Sequence, residues 1–253
     1  MTIHLEGGCF VSDMSEPEVV LNGTLSRRDI VGRHTGADAI SLSIFEFRPG
    51  LSPGLSSPVS DHILFRVNTG QPRASSCEVV IDGSKYVVAP ETGVYVRPGE
   101  IMFVANNSTE PVVFVSSRCP EPSNLTVVDD VRDVRSERLE KRTIALADRR
   151  SIPTGDRWYR VLVDDEMGSA NATQFVGAIP PGRAPDHFHE YEEVLFILRG
   201  KGRMWAGESH APIAPGSCVY LPRRQVHCVE NNSDGELRLL GVFYPAGSPA
   251  VRY

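Results

Sequence analysis

The sequence predicts an all-β chain of two tandem barrels. Three observations carry this: short β-rich runs punctuated by Gly and Pro, a repeat between the two halves, and one charge-dense break between them. The 253 residues hold 22 Gly and 19 Pro. Between these lie segments rich in Val, Ile, Phe and Tyr, at 40–48, 62–67, 78–81, 85–89, 94–96, 101–105 and 111–116 in the first half. A matching set falls at 157–163, 173–179, 193–199, 202–206, 218–221, 226–230 and 236–244 in the second.

The repeat is visible residue by residue. Phe-Arg-Pro-Gly at 47–50 answers Ile-Pro-Pro-Gly at 179–182, and His-Ile-Leu-Phe at 62–65 answers Glu-Val-Leu-Phe at 193–196. Val-Tyr-Val-Arg-Pro at 94–98 answers Val-Tyr-Leu-Pro at 219–222, and Asn-Asn-Ser at 106–108 answers Asn-Asn-Ser at 231–233. Pairs in one order along the chain indicate two related domains. The break, 121–150, reads as a linker with a short solvated helix, so the expected division is 1–120, 121–150 and 151–253.

Composition narrows the partners. The chain is 41% hydrophobic and 23% charged with a formal charge of -6, which disfavours nucleic acid and anionic membrane and favours a small-molecule partner. With no apolar run long enough to cross a bilayer and no leader-like start, the expectation is a cytoplasmic protein. Cys9, Cys77, Cys119, Cys218 and Cys228 are scattered without a C-x-x-C pair, so reduced thiols are expected.

The chemistry concentrates in the second half. His187 and His189 stand two apart, a spacing that puts both on one side of a strand. Glu193 follows after a turn, at the start of an apolar run, and His227 lies in a later strand. Three imidazoles and one carboxylate form a first-row transition-metal set. Glu190 and Glu192 are expected to face solvent in the turn. By strand alternation, Leu195 and Ile197 share the inner face with Glu193, and Gln225 and Val229 share it with His227, while Cys228 points out. Gln174, Arg203, Trp205 and Gln225 are the candidate substrate-binding residues, and the loops 164–172 and 207–215 could set specificity.

Residues 182–200 and 216–231 resemble the two signature motifs of the cupin superfamily: a glycine, His-x-His, a glutamate and a closing glycine, then a glycine, a proline, a histidine and an asparagine. Two departures stand out. Gly182 is one residue closer to His187 than in the usual pattern, and Arg224 replaces a glycine. The resemblance implies two small jelly-roll barrels and a metal held by His187, His189, Glu193 and His227. It implies one divalent transition metal per chain, Fe or Mn ahead of Ni, Cu, Co and Zn, and a homodimer. The first half lacks the set: 51–60 carry no ligand, Met102 or Phe103 takes the place of His227, and His62 falls near that of Glu193. It reads as a degenerate cupin.

An open metal site points to catalysis. The first expectation is a non-haem dioxygenase or oxidase in which Glu193 is ligand and proton acceptor. Beside it stands an isomerase, lyase, decarboxylase or hydrolase using the metal as a Lewis acid, and, in another class, a binding or sensing cupin without catalysis.

Overall fold

The computed structural model describes residues 1–70, 77–120, 125–128 and 140–250. Two barrels with the same strand order account for nearly all of them. In the first, a seven-stranded sheet runs Thr143–Ala145, Thr92–Val96, Asp61–Arg66, Val112–Cys119, Leu42–Phe47, Leu25–Val31 and Val20–Asn22. In the second, an eight-stranded sheet runs Ile3–His4, Phe10–Asp13, Ser217–Leu221, Glu192–Arg199, Leu237–Tyr244, Thr173–Ile179, Arg157–Val163 and Ile152–Thr154. A smaller sheet closes each barrel. That of the second contains Gly182–Arg183, His227–Asn231, Gly202–Ala206 and Ser209–Ile213.

The expected strands are present in both halves, and the structure adds others, among them Phe10–Asp13, Leu25–Val31 and Ser209–Ile213. It also departs from the expected domain boundaries. Phe10–Asp13 pairs with Ser217–Leu221 of the second barrel, and Thr143–Ala145 pairs with Thr92–Val96 of the first. Each barrel is therefore edged by a strand from outside its expected bounds, which covers hydrogen-bonding groups that would otherwise be exposed. Half of the segment 121–150, where a linker helix is expected, lies outside the described residues; the described part holds the strands Thr126–Val128 and Thr143–Ala145 and, as its helical element, a 3-10 turn, Leu146–Asp148.

The large sheets face each other. Along Glu192–Arg199, Leu195 and Ile197 join the core of the second barrel, whereas Val194 and Phe196 pack between the barrels with Ile63, Phe65 and Tyr95. Both faces are buried, which is why this segment reads as a continuous apolar run rather than an alternating one. All five cysteines are buried and unpaired, and burial pushes the Cys9 thiol up to about 12. Among the described residues no helix is long and apolar enough to cross a membrane.

The repeated Asn-Asn-Ser segments have a structural cause. Asn231 is buried; its side-chain amide donates to the carbonyls of Ile179 and Gly235, both at 2.8 Å, and its Oδ1 accepts from Ser233 N at 2.8 Å. Asn106 does the same in the first barrel, donating to Phe47 O and Glu110 O and accepting from Ser108 N. Replacing Asn231 by Ala leaves two carbonyls and one N–H without these partners, so Asn231→Ala is expected to cost roughly 2–4 kcal/mol. Urea denaturation with an unchanged m-value checks this; a loss under 0.5 kcal/mol, the scale of an ordinary surface change, would contradict it.

Candidate metal centre

His187, His189 and His227 converge inside the second barrel. Their ring centroids lie 4.5 to 5.2 Å apart, and their ligand nitrogens lie within 4.8 Å of one another. His187 and His227 are brought side by side by a backbone bridge, His187 N to His227 O at 3.1 Å and His227 N to His187 O at 2.8 Å.

Backbone carbonyls fix two of the rings. His187 Nδ1 lies 3.0 Å from Pro185 O, and His227 Nδ1 lies 2.7 Å from Gln225 O. A carbonyl can only accept, so each Nδ1 carries the proton and each Nε2 keeps its lone pair for another partner. His189 is held differently: its ring stacks on Tyr191 at 4.5 Å, which stacks on Phe243 at 4.1 Å. Burial, with His187 nearby, lowers the His227 pKa to about 4, so this imidazole stays neutral at physiological pH.

Glu193 lies beside this group, Oε2 3.7 Å from His189 Nε2. Burial raises its carboxyl pKa to about 8. The four side chains line a cavity of about 100 Å³. Tyr159, Phe175, Tyr191 and Leu195 supply apolar wall, and Arg157 is a cationic lining residue. Phe175 lies over Gly241, where an added Cβ would sit 2.3 Å from the ring.

These residues fit a divalent metal. Two imidazoles whose Nδ1–H groups point at backbone carbonyls, a third beside them and one carboxylate, around a cavity, match the donor chemistry of an open transition-metal site.

The four candidate substrate-binding residues lie elsewhere. Gln174 is buried in the contact with the first barrel, close against Gly93, because Phe175 and Ile179 hold the inner parity of that strand. Arg203 and Trp205 face outward. Their strand pairs Met204 with Val229 and Trp205 with Cys228, so Met204 takes the inner face. Trp205 donates to Glu230 at 2.8 Å and lies under the Arg183 guanidinium at 4.2 Å. Gln225 precedes the strand His227–Asn231, so strand alternation does not reach it; it contributes its backbone carbonyl to His227.

Other expectations are also revised. Glu190 is exposed and pairs with Arg224 at 2.8 Å, but Glu192 is buried between the barrels. Arg224 adopts a φ of 64°, the left-handed conformation a glycine takes freely, and its N donates to His189 O at 2.7 Å. Neither 164–172 nor 207–215 lines the cavity; Asn171 contacts Asp61 of the first barrel, and Ser209–Ile213 is a strand. The sequence reading missed Tyr159, Phe175 and Tyr191. Tyr191 continues the His187, His189 spacing of two, and that signal could have found it.

In the first barrel the equivalent positions are settled by strand register. His62 pairs with Arg118 and Val96 as Glu193 pairs with Phe243 and Leu221. Met102 pairs with Leu55 where His227 meets His187. His62 is buried with Nε2 2.8 Å from Ser116 Oγ, and burial together with Arg118 lowers its pKa to about 3. The pocket is thus filled by Leu55, Met102 and a neutral histidine.

Two jelly-roll barrels, one carrying a three-imidazole pocket, define a two-barrel protein with a candidate metal-binding site. Residues 175–243, the stretch that includes His187, His189, Glu193 and His227, match the cupin domain family. Auxin-binding protein 1 of Arabidopsis thaliana is 30% identical over 70 residues, which are 24% of this chain and 35% of that protein. The chain thus spans about a third of that relative's length. The oxalate decarboxylase formate complex of Lactobacillus farciminis superposes with a TM-score of 0.74 at 13% identity, covering 94% of this chain and 87% of that one. The Bacillus subtilis oxalate decarboxylase, described with Mn(II) centres, gives 0.72 at 14% identity over 94% and 78%.

The raised Glu193 pKa gives a signed expectation for the metal-free protein. Between about 4.5 and 8 the folded state holds a proton that the unfolded chain has released, so stability falls as pH rises through that window. The fall is on the order of a few kcal/mol. Glu193→Gln is expected to flatten it, raising the melting temperature at pH 8.5 and leaving it unchanged at pH 4. Thermal scans with chelator present check this; parallel pH profiles for the two proteins would refute the buried-acid assignment.

Proposed function

We propose that the protein is a metal-dependent enzyme acting on a small organic molecule that binds through oxygen, with a non-haem dioxygenase or oxidase as the first reading. The observation that supports it is the convergence of His187, His189 and His227 on a cavity of about 100 Å³ with largely apolar walls. His187, His189, His227 and Glu193 would hold the ion, Fe or Mn before others, which when bound supplies Lewis acidity and, with O2 as co-substrate, redox chemistry.

The remaining work falls to the chain itself. Pro185 O and Gln225 O keep two imidazoles in the tautomer that offers Nε2. Tyr191, Phe175 and Leu195 exclude water, which strengthens every polar interaction inside. Burial lets Glu193 hold a proton at neutral pH; beside a bound cation it would be the carboxylate, a group able to accept a substrate hydroxyl proton.

Glu193 also favours a second reading. A buried acid–base group inside the pocket suits an isomerase, lyase, decarboxylase or hydrolase that needs no oxygen. The structural neighbours named as oxalate decarboxylases make small carboxylates sensible first substrates, and Arg157 in the lining offers them a cation.

Elemental analysis of the purified chain is expected to find about one equivalent of metal, as one open site requires, and His187→Ala with His227→Ala is expected to remove it. Metal retained by that folded double variant would refute the site. Oxygen consumption by the Fe(II)- or Mn(II)-loaded protein, over a panel of small carboxylates, hydroxy acids and 1,3-diketones, supports the first reading. Equal turnover under anaerobic conditions would replace it with the second.

A further inference from the structure

Two acid–tyrosine joints hold the barrels together, and they are related by the internal repeat. In the second barrel, Glu192 accepts from Asp38 N at 2.9 Å, from Ala39 N at 2.8 Å and from Tyr220 OH at 2.7 Å. In the first, Asp61 accepts from Tyr95 OH at 2.6 Å and from Asn171 Nδ2 at 3.1 Å. The register makes them equivalents: Asp61 precedes His62 as Glu192 precedes Glu193, and Tyr95 and Tyr220 occupy matching pairs. Each acid is buried and takes hydrogen bonds from the opposite barrel.

Only one joint adjoins the metal pocket. Residues 189–193 carry two of the four candidate ligands; beyond the strand pairing of Glu192 with Tyr244 and of Glu193 with Phe243 and Leu221, three further tethers hold the segment: Arg224 N on His189 O, Tyr191 stacked between His189 and Phe243, and the Glu192 carboxylate. The first two come from the second barrel. The third reaches the loop at Asp38 and Ala39, itself fixed by Ala37 and Ile40 in the core between the barrels. Because successive strand residues point to opposite faces, Glu192 is gripped outside the barrel while Glu193 enters the pocket.

We infer that Glu192 is a positioning residue, through which the metal-free first barrel sets the placement of Glu193 and so the geometry of the metal centre. This rests on the reading of His187, His189, Glu193 and His227 as metal ligands. Glu192→Gln replaces an acceptor of three hydrogen bonds by a group whose amide faces donors, so the start of the strand is released while its volume is kept. Asp61→Asn makes the same change at the joint that does not line the pocket, and is the control for loosening the barrel contact alone.

The test is the visible absorption spectrum of the Co(II)-loaded full-length chain, with the rate of Co(II) release to excess chelator. Glu192→Gln is expected to change the spectrum and speed release on the order of tenfold, the scale of supporting-residue losses at metal sites, while Asp61→Asn leaves both as in the unsubstituted protein. Should Glu192→Gln fail to fold, Tyr220→Phe removes one of the three hydrogen bonds and is expected to shift both readouts in the same direction by less. An unchanged spectrum and release rate in the Glu192 or Tyr220 variant, or equal changes in Asp61→Asn, would overturn the inference. Failure of the unsubstituted chain to bind Co(II) would instead overturn the metal reading, and this inference with it.

Discussion

The strand Glu192–Arg199 is buried on both faces, and much of the second barrel depends on that. Its inward residues, Glu193, Leu195 and Ile197, reach the pocket and the barrel core; its outward residues, Glu192, Val194 and Phe196, reach the first barrel. A shift of one residue would bury the wrong set on each side. Register is therefore held by two cores at once, a firmer constraint than one barrel alone imposes, and it falls on the strand that carries the pocket's acid.

The division of labour between the barrels follows. At the positions equivalent to His187, His227 and Glu193 the first has Leu55, Met102 and a neutral His62. It has kept the sheet face that packs against its neighbour, with Ile63, Phe65 and Tyr95 in the shared core. What survives in the degenerate half is the part that serves the other half.

Much of this was legible in the sequence. The strands, the repeat and the four chemical residues follow from alternation, turn residues and motif spacing, which are local signals. The lining residues were not, because facing depends on which strand lies alongside. Trp205 looks as eligible as Met204 until its pairing with Cys228 is known, and Gln225 shares parity with His227 yet lies before the strand begins. Glu192 was missed for a related reason: a glutamate near a turn reads as solvated, and only the second barrel's contact with the loop at Asp38 makes its burial affordable. The borrowed edge strands were invisible for want of any local mark, since Phe10–Asp13 finds its partner at the far end of the chain.

That edge pairing bears on how the molecule is made. Phe10 pairs with Tyr220, 210 residues further along, and contacts this distant in sequence form slowly. The first barrel, whose own borrowed strand Thr143–Ala145 follows it directly, can close while synthesis continues. The sheet of the barrel that holds the three imidazoles is complete only once Phe10–Asp13 has met Ser217–Leu221, which makes that barrel the later of the two to finish and makes residues 10–13 part of any fragment meant to contain it.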